Sequence, residues 1–291
     1  MTPGGDADVD KGRPVVIEAG TRFMEDRALR LGAGLAYYGL VTLVPLLVLL
    51  LGVLGLVLGE EAVNGRLVES LDEWVSSDIA LWIQDLLSSL DVSTTFANLT
   101  IFGAVALVFT ASVLFVAWKD ALDVIWDIAY HPGVRTTLVK RLFGLAAVGA
   151  LAVLLITILI VEAVLGMLAG LFVDEPVIDT AVGLVTSVLP LLFGSLLLGA
   201  MYRYGTDHHV AWRAVWPGTV LTMIALLILM FGYGTYVDIA GTSVAGVASS
   251  ALLLVVLVYF CAQVLLYGAE FIKVWQHRHH PDEPGRGVSE P

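Results

Sequence analysis

The sequence predicts an all-α polytopic membrane protein with six transmembrane helices and two amphipathic helices in the first external loop. Apolar residues make up 58% of the 291 residues, and only 14% are charged. Ordinary soluble domains run near 45–50% apolar and about 25% charged, so the composition excludes a standard soluble enzyme. Six stretches are long and apolar enough to cross a bilayer. Nearly all Lys and Arg residues fall on one side of the resulting topology.

Each stretch is predicted to be a helix, because a spanning backbone must satisfy its own N–H and C=O groups in lipid. The first stretch is much longer than the apolar core of a secretory signal, so we expect it to remain as an anchor. We predict a polar cytoplasmic tail at 1–21, a transmembrane domain at 22–275 and a disordered cytoplasmic tail at 276–291. The predicted spans are 31–58, 99–118, 142–161, 181–201, 215–231 and 244–266.

The charge distribution predicts which side of the membrane each loop occupies. Fourteen of the fifteen Lys and Arg residues lie on one side, and Arg66 lies on the other. The positive-inside rule therefore places both termini in the cytoplasm of a multi-pass protein of the cell membrane. Most of the net charge of −12 falls on the external loops. This acidic surface excludes a nucleic-acid partner, whose phosphates need a basic face.

The first external loop is too long to be a bare connection between two spans. Apolar residues recur at helical spacing in 63–75 and again in 79–90, which predicts two amphipathic helices. Their acidic faces have the wrong sign for anionic lipid headgroups. We therefore expect an external lid at about 60–98 across the bundle mouth, with a location on lipid headgroups as the alternative.

Two spans contain an internal proline within the pattern Ser/Thr-x-x-Pro-Leu-Leu, at Pro45 and at Pro190. A proline removes a backbone donor, so we predict a kink or a local opening at both, with Thr42 satisfying a freed backbone group. Broken helices at matching positions of inverted halves are typical of transporters. Chance repetition in a Leu-rich chain is the alternative. Gly52 and its neighbouring glycines are expected to allow close packing between helices.

Ionisable and polar residues near the membrane are candidates for function because burying them is costly. One interpretation is interfacial ion pairing by side chains that extend towards water. The other is a polar site facing the cytoplasm, with Glu270 paired to Arg203 or Lys119. The candidate residues are Lys119, Asp120, Asp123, Arg203, Gln263 and Glu270.

No pattern in the chain indicates catalysis. The single cysteine, Cys261, excludes an intrachain disulfide and metal sites built on several thiolates. No zinc-protease, serine-hydrolase or phosphate-loop motif occurs. The His-rich segment 277–280 is interpreted as part of a solvated tail. We therefore expect no enzymatic activity, no catalytic residue, no cofactor and no metal.

Four segments together resemble a known family. Residues 35–47 read Leu-Ala-Tyr-Tyr-Gly-Leu and then Pro-Leu-Leu, and residues 121–126 read Ala-Leu-Asp-Val-Ile-Trp. Tyr-Arg at 202–203 precedes Trp-Arg at 212–213, and Gly-Ala-Glu stands at 268–270. In this order and spacing they resemble the YihY/BrkB-like integral membrane proteins. The family-motif residues are Tyr37, Tyr38, Trp126, Trp212, Arg213 and Gly268.

The resemblance implies a six-helix protein of the cytoplasmic membrane for which transport or export has been suggested. Some members are labelled ribonuclease BN, but this chain has no His/Asp cluster that would hold a nuclease's metal. Our first hypothesis is a transporter or exporter-like permease for an ion, small molecule or lipid. The alternative is a non-transporting envelope scaffold or lipid-organising protein. The lipid bilayer is the expected partner. A homodimer is a further alternative, because a bundle of six helices is small for sealing a transport pathway.

Overall fold

The computed structural model describes residues 14–58, 95–128, 176–206, 210–240 and 247–279, together with 144, 146 and 161. The all-α prediction is confirmed for these residues, which contain no strand. Six helices are defined in them: α1 (Val15–Glu25), α2 (Ala28–Leu58), α3 (Thr95–Ile125), α4 (Pro176–Gly205), α5 (Trp212–Ala240) and α6 (Val247–His279).

Five of these helices are long and apolar enough to span a membrane. They match the first, second, fourth, fifth and sixth predicted spans, whereas the predicted span at 142–161 lies almost entirely outside the described residues. The predicted lid lies outside them too, apart from its last residues, which belong to α3. The candidate spans are Ala28–Leu49, Thr100–Ile125, Val188–Gly205, Trp212–Tyr236 and Leu252–His279.

Large apolar side chains on the spans stand exposed on the protein surface. Phe102 is 69% exposed and Phe231 is 80% exposed. Exposing these side chains to water would cost about 25 cal/mol of free energy per Å² of apolar area. Contact with lipid tails carries no such cost. The spans are therefore apolar on their outward faces because those faces meet the bilayer.

The helical boundaries differ from the predicted ones at both ends of the described chain. Helix α1 lies mostly within the segment predicted to be a polar tail, and its buried residues include Ala19 and Phe23. Helix α6 continues past residue 266 to His279, so the residues just after the predicted span are helical. Amphipathic spacing at 15, 19 and 23 is the sequence signal that identifies α1.

The structure divides into two packing units. The first unit contains the described parts of Met1–Leu29, Trp118–Ala225 and Val264–Pro291. Within it, α1 packs on α6 through a core of Ala19, Phe271 and Val274.

The second unit contains the described parts of Arg30–Ala117 and Leu226–Gln263. Here α2 and α3 approach so closely that a Cβ atom at Gly103 would lie 2.7 Å from the backbone nitrogen of Leu49. A Cβ atom at Gly52 would likewise collide with Thr100. Small residues let helix backbones approach in this way. The expected role of Gly52 in close packing is confirmed.

The two helices in which the sequence predicts a break continue without interruption past Pro45 in α2 and past Pro190 in α4. The hydroxyl of Thr42 donates to the carbonyl of Tyr38 at 2.7 Å. The Thr42 hydroxyl therefore does not bond the carbonyl of Val41, which has no helical donor because Pro45 lacks an N–H group. A Thr hydroxyl commonly bonds the carbonyl four residues back, which explains this choice.

Candidate functional site

The most unusual side chain of the first unit is Glu270, which α6 places fully inside the protein with 0% exposure. Neither of its carboxyl oxygens has a hydrogen-bond partner among the described residues. A buried carboxylate without hydrogen bonds costs several kcal/mol, so such a group is rare unless it serves a purpose. Glu270 is therefore the centre around which the site is described.

Three charged groups act on Glu270 through their electrostatic fields: the carboxylate of Asp26 and the cations of Lys273 and Arg22. The ammonium of Lys273 is buried and forms an ion pair of 2.6 Å with Asp127. It also lies 3.9 Å from the carboxylate of Asp26. Lys273 therefore stands between two carboxylates, one that ends α1 and one that follows α3.

Backbone geometry brings these two carboxylates to Lys273. Arg27 and Asp127 both have φ = 54°, the left-handed conformation that often ends a helix. The amide of Ile128 donates to the carbonyl of Asp123 at 2.9 Å, as such a helix end requires. A cation at a helix C-terminus also meets the negative end of the helix dipole. Lys273 therefore holds the C-terminal ends of α1 and α3 in place.

A second set of ion pairs fastens α1 to the end of α6. Glu18 is buried and bonds Arg22 one turn along α1 at 3.1 Å. It also accepts a hydrogen bond from Arg278 in α6. The hydroxyl of Tyr267 donates to the carbonyl of Val16 at 2.8 Å. We name the whole group the charged cluster, and it consists of Glu18, Arg22, Asp26, Asp127, Glu270, Lys273 and Arg278.

Beside the cluster, two hydrogen-bonded hydroxyl groups surround a glycine of α6. The Tyr202 hydroxyl donates to the carbonyl of Leu265 at 2.7 Å and lies 3.3 Å from the Thr222 hydroxyl. Thr222 in turn donates to the carbonyl of Gly218 at 2.8 Å. A Cβ atom at Gly268 would overlap the Thr222 hydroxyl. Gly268, two residues before Glu270, is therefore where α4 and α5 contact α6.

The basic residues that the sequence suggested as partners of Glu270 have other contacts. Arg203 donates to the carbonyl of Val210 at 2.8 Å. Its guanidinium lies 5.1 Å from the ring centre of Trp212 and 5.6 Å from that of Tyr204. The ammonium of Lys119 is buried, 3.5 Å from the carbonyl of Gly205. The charges acting on Glu270 come instead from Asp26, Lys273 and Arg22.

The remaining predicted residues are dispersed over the two units. In the first unit, Asp123 is half-buried, Trp126 is buried, and Asp120 and Arg213 are exposed. In the second unit, Gln263 packs where a Cβ atom at Gly32 would collide with it. Tyr37 and Tyr38 form an edge-to-face pair with ring centres 5.5 Å apart.

Most members of the charged cluster are not among the candidate residues that the sequence indicates. Glu18 and Arg22 are four residues apart, as are Lys273 and His277, and this spacing marks neighbours on one helix. Asp26 is also four residues from Arg22, but it lies at the end of α1 where the chain turns, so this spacing does not indicate a contact with Glu270. Its closeness to Glu270 depends on α1 packing on α6, which no local pattern encodes.

Comparison with known proteins places the chain in a family. The family model described as "Virulence factor BrkB" matches residues 19–291. The chain belongs to this family. The match covers the charged cluster almost entirely, and the resemblance read from the four sequence segments is confirmed. The chain is accordingly a multi-pass integral membrane protein.

Curated relatives are likewise described as membrane proteins. A UPF0761 membrane protein of Stenotrophomonas maltophilia is 26% identical over 259 residues, which is 85% of this chain and 57% of the relative. One of Rhodospirillum centenum is 26% identical over 261 residues, which is 88% of this chain and 56% of the relative. The chain thus spans a little over half the length of these relatives. No solved structure matches it significantly.

Proposed function

We propose that this chain is a non-enzymatic permease of the cell membrane whose transport pathway runs past the charged cluster. The observation that carries the proposal is the fully buried Glu270 carboxylate on a helix apolar enough to span a membrane. Ionisable residues inside transmembrane helices are expensive, and in membrane proteins they commonly mark ion or substrate pathways. A scaffold would keep the same packing with an apolar residue at this position, so it gives no reason for the charge.

The orientation follows from the charge distribution along the chain. We propose that both termini, and with them the charged cluster, lie on the cytoplasmic side, because the basic residues concentrate in those segments. The opposite loops are strongly acidic. Such a surface repels anions and raises the local concentration of cations. Cations and neutral molecules are therefore the substrates that the external face favours.

Transport by purified protein tests the proposal. The full chain is reconstituted into vesicles, and two signals are recorded against empty vesicles: currents evoked by K⁺, Na⁺ and choline, and translocation of a fluorescent phosphatidylethanolamine. We expect at least one protein-dependent signal that Glu270→Gln reduces at least tenfold. Arg213→Gln, at an exposed position outside the cluster, is the matched control and should retain the signal.

Two results would overturn the proposal. The first is that neither signal exceeds that of empty vesicles although the protein is folded and inserted. The second is a signal that Glu270→Gln leaves unchanged, because the cluster would then lie off the pathway. Either result would favour the scaffold function, which predicts captured envelope partners and no flux.

A further inference from the structure

The charged cluster carries one acidic group more than its bases can pair. Among the described residues, Glu18 pairs with Arg22 and Arg278, while Lys273 pairs with Asp127 and lies near Asp26. The cluster as defined contains four carboxylates and three cations. Glu270 is the carboxylate that forms no ion pair within the described part of the chain.

The contact between Glu270 and Asp26 indicates what is needed to complete the site. The two carboxyl groups are close enough to act as hydrogen-bonding neighbours. Both Glu270 oxygens and one Asp26 oxygen are nevertheless buried without a hydrogen bond to any described residue. An ionised carboxylate accepts hydrogen bonds but donates none, so two facing carboxylates cannot bond each other. One proton supplies the missing donor and also cancels the unpaired charge.

A proton fits this site better than a metal ion. Metal cations need several oxygen ligands, commonly six to eight for Ca²⁺. No group of three or more His, Cys, Asp or Glu residues suited to a metal occurs in the described residues. A proton needs one oxygen to bind and one to accept a hydrogen bond.

We propose that Glu270 and Asp26 form a proton-binding carboxyl pair, and that this proton is the coupling ion of the proposed permease. Only the coupling role rests on the proposed function; proton binding does not. In the protonated state one carboxyl group of the pair holds the proton and donates its O–H to the other, and Lys273 stays paired with Asp127. When the proton leaves to water, both groups are carboxylates, and Lys273 is placed to move towards them.

The groups that face the pair from each packed element are few. The Asp127 carboxylate is 75% exposed, so water can take over its interaction when Lys273 moves away. This links proton release to loss of the contact between Lys273 and the end of α3. The charged groups that act on the pair are Arg22 from α1, Lys273 from α6 and, through Lys273, Asp127 after α3. The Tyr202 hydroxyl of α4 lies beside Gly268, two residues before Glu270.

Infrared difference spectroscopy of the full chain in lipid tests proton binding directly. As the pH is raised from acid to alkaline, a buried carboxylic acid loses its C=O stretch, which is also shifted by D₂O. We expect one such band that Glu270→Gln abolishes and Asp26→Asn shifts in its midpoint. Glu25→Gln, an exposed acid of α1 outside the cluster, should leave the band unchanged. Retention of the band in Glu270→Gln, or absence of any buried acid band in the native protein, would overturn the proposal.

A second measurement separates this inference from the proposed function. Vesicles containing the protein and a pH-sensitive dye report whether protons move with the transported solute. A Glu270 band without any flux would refute the permease and leave the proton site standing. Flux that does not respond to a pH gradient, with the band present, would refute the coupling role. If Glu270→Gln fails to fold, the Asp26→Asn midpoint decides, because an unshifted band contradicts the shared proton.

Discussion

Replacing Gly268 by Ala gives the sharpest test of the packing beside the charged cluster. The added methyl group would overlap the Thr222 hydroxyl and lie 2.6 Å from the Tyr202 hydroxyl. Helix propensity works in the other direction, because Ala is favoured over Gly by about 1 kcal/mol within a helix. The sign of the effect therefore reveals whether packing or propensity dominates at this position.

The magnitude follows from the contacts that must yield. Overpacking a well-filled site costs about 1–3 kcal/mol. Displacing the Thr222 or Tyr202 hydroxyl also weakens buried hydrogen bonds, each worth about 0.5–1.5 kcal/mol. After subtracting the propensity gain of about 1 kcal/mol, we expect Gly268→Ala to destabilise the protein by about 1–3 kcal/mol.

Reversible unfolding in mixed micelles measures this change, with Gly34→Ala as the control. A Cβ atom at Gly34 meets nothing within 4 Å, so that variant should be neutral or slightly more stable. Adding Thr222→Ala to Gly268→Ala removes the overlapping hydroxyl, so the two changes should be non-additive and the double variant partly rescued. If Gly268→Ala is as stable as the native protein, the close approach of α4 and α5 to Gly268 is refuted.

Two further predictions concern Arg203 and the orientation of the chain. Arg203→Lys replaces the planar guanidinium that lies beside the rings of Trp212 and Tyr204, and it should cost about 1 kcal/mol in the same unfolding assay. Arg213→Lys, at an exposed position, should cost nothing measurable, and equal losses in the two variants would contradict the stacking role. Reporter enzymes fused to residue 1 or residue 291 are expected to show cytoplasmic activity in both fusions. Opposite locations of the two ends would refute an even number of spans.

Much of the fold follows from the sequence because hydropathy is a local property. A run of apolar residues in lipid has few alternatives to a helix, so the spans containing Pro45 and Pro190 are recognisable without tertiary information. The packing role of Gly52 is also predictable, because a small residue in a membrane helix allows a neighbouring backbone to approach closely. Helix α1 escaped prediction because it is short and its polar residues resemble a tail, although its apolar face follows helical spacing.

The candidate site divides along the same line. Sequence alone identified Glu270 as a costly ionisable residue and Gly268 as part of a family segment. It could not identify their partners, because Asp26 and Asp127 lie at helix ends that reach Lys273 only after α1 and α3 have packed beside α6. Local composition thus determined that this is a helical membrane protein with a candidate charge, Glu270, just beyond its last predicted span. Only the tertiary structure decided that the charge faces a second carboxylate, because electrostatic partners are chosen by distance in space and not along the chain.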